Sequence, residues 1–124
     1  MDTFVFAHKR LEVWKCALLL AELTYRLTKR FPLEERFGLA AQMRRAAVSV
    51  LSNISEGASR RSRSEYIQFL HVARGSLAEL DAQLELARRM EYALDTGPVE
   101  AYVRKVGQLL SGQIRALRRR ESRE

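Results

Sequence analysis

Arginine is the side chain with which this chain could do chemistry. The 124 residues include 18 arginines against four lysines, and the formal net charge is +7. A guanidinium keeps its charge when half-buried and presents a fork of donors that fits phosphate and carboxylate oxygens. An anionic partner is therefore expected; the codon bias of a GC-rich genome is the competing explanation. The charge is also uneven along the chain. The segment 58–64 carries +3 from Arg60, Arg61 and Arg63, residues 65–100 carry a net −4, and residues 101–124 a net +5 that includes Arg115, Arg118, Arg119, Arg120 and Arg123. Such polarity suits a nucleic-acid surface or head-to-tail contact between copies. A solvated polar end that keeps the protein soluble accounts for the same residues.

Other chemistry is poorly supported. Cys16 lies on an apolar stripe, where a thiol is buried and inert. His8 and His71 lack the spacing and the Cys or carboxylate company of a metal site. There is no phosphate-cradling glycine loop, no dinucleotide fingerprint and no nucleophile elbow. The reading is of a protein that is not an enzyme and needs no cofactor or metal. Trp14 and Tyr25 read as packing or interface residues rather than platforms for bases. Arg44 and Arg45 are adjacent and point about 100° apart on a helix; they serve either ion pairs within the bundle or contact with another protomer. Glu56 falls in the last turn of its helix, where negative charge opposes the helix dipole. Arg60, Arg61 or an arginine of another copy should compensate it, which makes Asn53, Glu56 and Gly57 a structural or inter-subunit corner. A catalytic role for Glu56 lacks partners within reach.

Apolar spacing places these residues on four helices. The first, about 9–30, repeats Val13, Ala17, Leu20, Thr24, Leu27 and Phe31 and closes before Pro32. The second, about 34–56, starts at the acidic pair Glu34-Glu35, which suits a positive helix end. It carries a stripe of Ala40, Met43, Ala47, Val50 and Ile54, and beside it a line of small residues, Ala46, Ser49, Asn53 and Gly57, that allows close helix approach. Gly57 is expected to end this helix in the left-handed conformation. The third, about 64–91, opens with the capping-box spacing of Ser62 and Glu65. Tyr66, Phe69, Leu70, Ala73, Leu77, Leu80, Leu84 and Ala87 form its apolar face. The fourth, about 98–118, has proline at a first-turn position and is lined by Val99, Val103, Val106, Leu110, Ile114 and Leu117; residues 119–124 read as a frayed tail. Short connections make the neighbours antiparallel. The expected fold is all-α, an antiparallel up-down four-helix bundle forming one domain over residues 1–124. In that topology the 60–63 loop and the end of the fourth helix share one pole, so their arginines merge into one patch. A lone cysteine forbids an internal disulfide, residues 1–10 lack the features of a signal peptide, and the longest apolar run, Ala17 to Ala21, is too short for a bilayer. A cytoplasmic setting with no membrane contact follows as the expectation.

The string QMRRAAVSVLSNISEG from Gln42 to Gly57 resembles the signature of the bacterial four-helix-bundle family, also called the large-subunit ribosomal RNA intervening-sequence protein family. LEVWKCA (residues 11–17), FPLEE (31–35) and YIQFLHVARGSLAEL (66–80) resemble its N-terminal motif, first turn and third helix. The likeness covers about residues 8–92. Leu51 stands where proline is common in the family and Ser55 where alanine is common, both conservative for the fold. The resemblance implies a ring-like homopentamer. It also points to a related group, the accessory proteins of diversity-generating retroelements, in which a basic pentamer binds a reverse transcriptase and nucleic acid. The function expected is that of a basic oligomeric adaptor for structured RNA or DNA, with a pure protein–protein scaffold as the alternative.

Overall fold

The structure, a computed structural model, describes residues 4–93 and 95–122. Four helices account for most of them: α1 (Glu12–Thr28), α2 (Leu39–Ala58), α3 (Arg63–Arg89) and α4 (Gly97–Ser122), with short 3-10 turns at Ala7–Arg10 and Leu33–Glu35. The apolar stripes read from spacing are the core. Leu20, Met43, Val50, Ile54, Leu70, Leu80, Val106 and Leu110 have no solvent exposure. Burying such side chains contributes on the order of 1.5–3 kcal/mol each. Each helix packs against its chain neighbours, and α4 closes back on α1, with no diagonal pair in contact among the described residues.

The side-chain pairs give the directions. Trp14 meets Ser55 and Thr28 meets Arg44, so α1 and α2 run antiparallel. Ser49 bonds Ser76 (2.7 Å) while Gly57 lies against Tyr66 and Phe69, so α2 and α3 do likewise. His71 meets Arg118 and Arg88 pairs with Glu100, which orients α4 against α3. The line of small residues on α2 thus faces α3, and these two helices share the most extensive of the four interfaces.

The helix ends differ from the spacing-based expectation. The first helix stops at Thr28 rather than residue 30, because Arg30 and Phe31 bond back three residues, to Leu27 and Thr28 (3.1 Å each), before Pro32. At its other end, Leu11 is extended and separates α1 from the 3-10 turn. Glu34 and Glu35 lie before α2, not in it; the helix begins at Leu39, whose N–H donates to the Glu35 carboxylate (3.0 Å). That carboxylate also accepts from Tyr92 Oη (3.3 Å), tying the start of α2 to the end of α3.

Gly57 does not take the left-handed conformation; no described glycine has positive φ, and α2 ends one residue later. Its lack of a side chain serves packing instead, since a Cβ there would sit 2.9 Å from both Phe69 Cβ and Tyr66 Cδ1. The left-handed stop is Glu91 (φ 59°), where Glu91 N–H donates to Arg88 O and Tyr92 N–H to Ala87 O. That pair of bonds is a Schellman closure of α3 with a non-glycine residue at its turning point. The expected frayed tail from 119 is helical through Ser122. Arginine is a good helix former, and Ser122 Oγ donates to the end carbonyls of Arg118 (3.0 Å) and Arg119 (3.2 Å). Ser62 Oγ accepts the Glu65 N–H (3.1 Å) at the start of α3, as its spacing predicts.

Candidate nucleic-acid interface

One pole of the bundle gathers the start of α1, the end of α2, the start of α3 and the end of α4. The 60–63 loop joins α2 to α3 there. Gln113 of α4 lies 3.5 Å from Tyr66 Oη in the first turn of α3, and Arg118 reaches His71, so the arginines ending α4 run beside that turn. The structure thereby brings Arg60, Arg61, Arg63, Arg115, Arg118, Arg119 and Arg120 to one end. Arg123 lies outside the described residues.

These side chains are not equivalent. Arg60 is engaged locally: its guanidinium pairs with Glu56 (3.6 Å) and lies over the Phe69 ring (4.6 Å from the centroid). This is the compensation that a carboxylate in the last turn of α2 requires, and being exposed it contributes little to stability. Arg63 is half-buried in the first turn of α3. Arg61, Arg115, Arg119 and Arg120 are exposed, and among the described residues no carboxylate pairs with them.

Arg44 and Arg45 lie elsewhere, nearer the opposite pole, and neither forms the expected ion pair. Among the described residues no carboxylate pairs with either. Arg44 Nε donates to Thr28 Oγ1 (2.8 Å), and the guanidinium covers the Tyr25 ring (4.8 Å). Arg45 is exposed. Both border a shallow depression with Tyr25, Phe37, Val48 and Ser49, where Phe37 is 84% exposed. Asn53 bonds within α2, donating to Ser49 O (2.8 Å) and to Ser49 Oγ (3.1 Å), the hydroxyl that meets Ser76 of α3.

Cys16 is buried, and its thiol lies 3.5 Å from a Glu12 carboxylate oxygen. Burial, then that carboxylate, pushes the thiol up and keeps it protonated. Trp14 is a packing residue: its indole N–H donates to Ser55 Oγ (2.8 Å), and the rings of His8, Phe6 and Phe4 follow it in a ladder over the start of α1.

Sequence reasoning missed three basic residues that lie away from this pole along the α3–α4 face, His71, Arg74 and, farthest from it, Arg104. Arg74, Arg104 and Arg115 line a groove between α3 and α4. The signal was present: His71 and Arg74 are three residues apart, and Arg104 and Arg115 eleven, both spacings that return to one helix face. The net −4 over 65–100 masked His71 and Arg74, because six of that segment's seven acidic groups come after them in the chain.

The fold and this pole define an all-α, antiparallel four-helix-bundle protein with one cationic end. A family model described as "23S rRNA-intervening sequence protein" matches residues 9–112. The chain belongs to that family. It is also similar to a crystal structure from Bacteroides thetaiotaomicron, a protein of unknown function from the S23 ribosomal protein family, with TM-score 0.76 and 26% identity over 83% of this chain and 95% of that one. No curated protein matches the chain. No helix among the described residues is long and apolar enough to cross a membrane.

Proposed function

We propose that the protein is a non-enzymatic, basic, oligomeric adaptor that binds structured RNA or DNA through its cationic pole. The observation that carries this reading is the convergence of the loop arginines and the α4 arginines at one end, where Arg61, Arg115, Arg119 and Arg120 are exposed with no carboxylate pairing with them among the described residues. Exposed guanidinium groups in such a cluster neutralise phosphates and release counterions. Repeating the pole around an oligomer multiplies weak contacts into a strong one. In this reading the protein partner is a nucleic-acid enzyme such as a reverse transcriptase, held beside the nucleic acid by the assembly.

The test is the affinity for a structured RNA measured by fluorescence anisotropy across a salt series. Replacing Arg61, Arg119 and Arg120 together by glutamine should weaken binding and reduce the salt slope by roughly 2–3, about 0.9 for each phosphate that is no longer neutralised. A native protein that does not bind, or binds independently of salt, removes phosphate contact as the mechanism.

A second reading, self-assembly as a scaffold, is favoured by a separate surface. Tyr25, Phe37 and Val48 are exposed beside Arg36, Arg44 and Arg45, while Leu86 near the end of α3 and Met90 just past it are exposed beside the Glu85 carboxylate and its partners Arg88 and Arg89. Two exposed apolar faces that differ from each other make a heterologous contact, which closes into a ring when the rotation allows. A pentamer is the ring expected from the resemblance. Light scattering on Phe37→Asp and Val48→Asp decides this: dissociation supports the contact, and an unchanged mass excludes that face.

A further inference from the structure

The groove between α3 and α4 has a volume of about 490 Å³ and is lined by Arg74, Arg104, Gly107, Gln108, Ser111 and Arg115. Its chemistry is one-sided. Three guanidinium groups, an amide and a hydroxyl surround it, and among the described residues no carboxylate lines it. Gly107 lets α4 pack closely on α3 beside the groove, with Leu77 Cδ2 3.4 Å from where a Cβ would stand.

Next to Arg74, the donors outnumber the acceptors. His71 stands between two arginines, with Arg74 Nη2 3.0 Å from its Nδ1 and Arg118 Nη2 2.8 Å from its Nε2. Arginine has only donors, and a neutral imidazole has one N–H and one accepting nitrogen. Only one of these two approaches is therefore a hydrogen bond; the other sets a guanidinium N–H against an imidazole N–H. Protonating His71 removes the acceptor altogether. What the cluster lacks is an acceptor with several lone pairs that bridges Arg74 and Arg118, and phosphate oxygens have that character. The charges act in the same direction on the histidine, which is held below its ordinary value by desolvation first and then by Arg74 and Arg118.

The groove has a direction. At Arg104 it borders a depression lined by Asp81, Glu85, Arg88 and Glu100, which repels anions. Toward Arg118 it runs into the cationic pole. Arg104, Ser111, Arg115 and Arg118 follow one another along α4 over about 21 Å at 1.5 Å per residue, room for several consecutive phosphates.

We propose that this α3–α4 groove is a phosphate track, which leads the sugar–phosphate backbone of a nucleic acid from Arg104 to the pole, with Arg74, Arg104, Arg115 and Arg118 as its cations. The nucleic-acid part rests on the function proposed above, whereas the anion site stands on the groove itself.

The experiment follows the His71 ring signals by NMR on the full chain while inorganic pyrophosphate is added, and measures the RNA salt slope of the double variant Arg74→Gln/Arg104→Gln. His71 should shift saturably in the native protein and His8 should not. The double variant should keep its helical spectrum, lose the His71 response, and reduce the salt slope by roughly 2. Unmoved His71 signals, or a double variant with the native His71 response, overturn the site. If RNA binds and the double variant keeps the native slope, the pole carries the nucleic acid and the track is wrong. If pyrophosphate shifts His71 but RNA does not bind, the anion site stands and the nucleic-acid reading fails.

Discussion

Replacing Gly57 by alanine sets helix propensity against packing. Alanine in place of glycine within a helix gains at most about 1 kcal/mol. At Gly57 the new methyl would lie 2.9 Å from Phe69 Cβ, 2.9 Å from Tyr66 Cδ1 and 3.3 Å from Tyr66 O. Carbon atoms prefer a separation of about 3.5–4.0 Å. Phe69 Cβ and Tyr66 O are fixed to the α3 backbone and cannot rotate away, so the helices must part by several tenths of an ångström. Overpacking of this kind costs about 1–3 kcal/mol. Gly75 supplies the control, because it is helical and a Cβ there meets nothing within 4 Å. Gly75→Ala should therefore stabilise by up to about 1 kcal/mol, while Gly57→Ala destabilises by about 1 kcal/mol. The difference of roughly 2 kcal/mol isolates the packing cost. Urea unfolding followed by circular dichroism at about 222 nm resolves it, since a slope of about 1–3 kcal/mol per molar separates the midpoints by about 1 M. Equal responses at the two glycines would refute the close α2–α3 approach.

Three further outcomes test the ends of the helices and the histidine cluster. Glu91→Gly should stabilise by about 0.5–1 kcal/mol, because a left-handed L-residue costs roughly 1–2 kcal/mol and glycine's extra chain entropy returns part of it; a loss of stability contradicts the Schellman closure. Ser62→Ala should cost about 1 kcal/mol in the same unfolding assay by removing the acceptor for Glu65 N–H. His71, flanked by Arg74 and Arg118, is held below its ordinary value of 6.5, so the unfolded chain binds its proton more readily. Its contribution to stability is complete above pH 6.5 and declines as the pH falls below it. The urea midpoint of the native protein should drop more on acidification than that of His71→Gln.

The core was legible because apolar periodicity reports which face of a helix is buried, and every member of the α1, α2 and α4 stripes is indeed buried. The small line on α2 was legible for the same reason, as it can only mark a close approach. Helix ends were less so. A glycine near a helix end satisfies both a left-handed stop and a close contact; sequence alone favoured the stop at Gly57, whereas α2 runs on to Ala58 and the left-handed closure belongs to α3, at Glu91. The end of α4 was read as frayed because charge was weighed above helix propensity and above the carbonyl bonds of Ser122. In the candidate site, the shared pole followed from topology. The α3–α4 groove did not, because it depends on which residues of two helices face one another, and that register is set by packing. Arg44 shows the same limit: its partners Thr28 and Tyr25 lie 16 and 19 positions away, and neither is acidic.

Photo-crosslinking a structured RNA to the native protein, with mass-spectrometric assignment of the linked peptides, probes the cationic pole most directly. Adducts should concentrate in the 60–74 and 104–122 segments and disappear at high salt. Adducts confined to the face of Tyr25, Phe37 and Val48, or none at any salt concentration, would contradict the assignment of nucleic-acid binding to the pole.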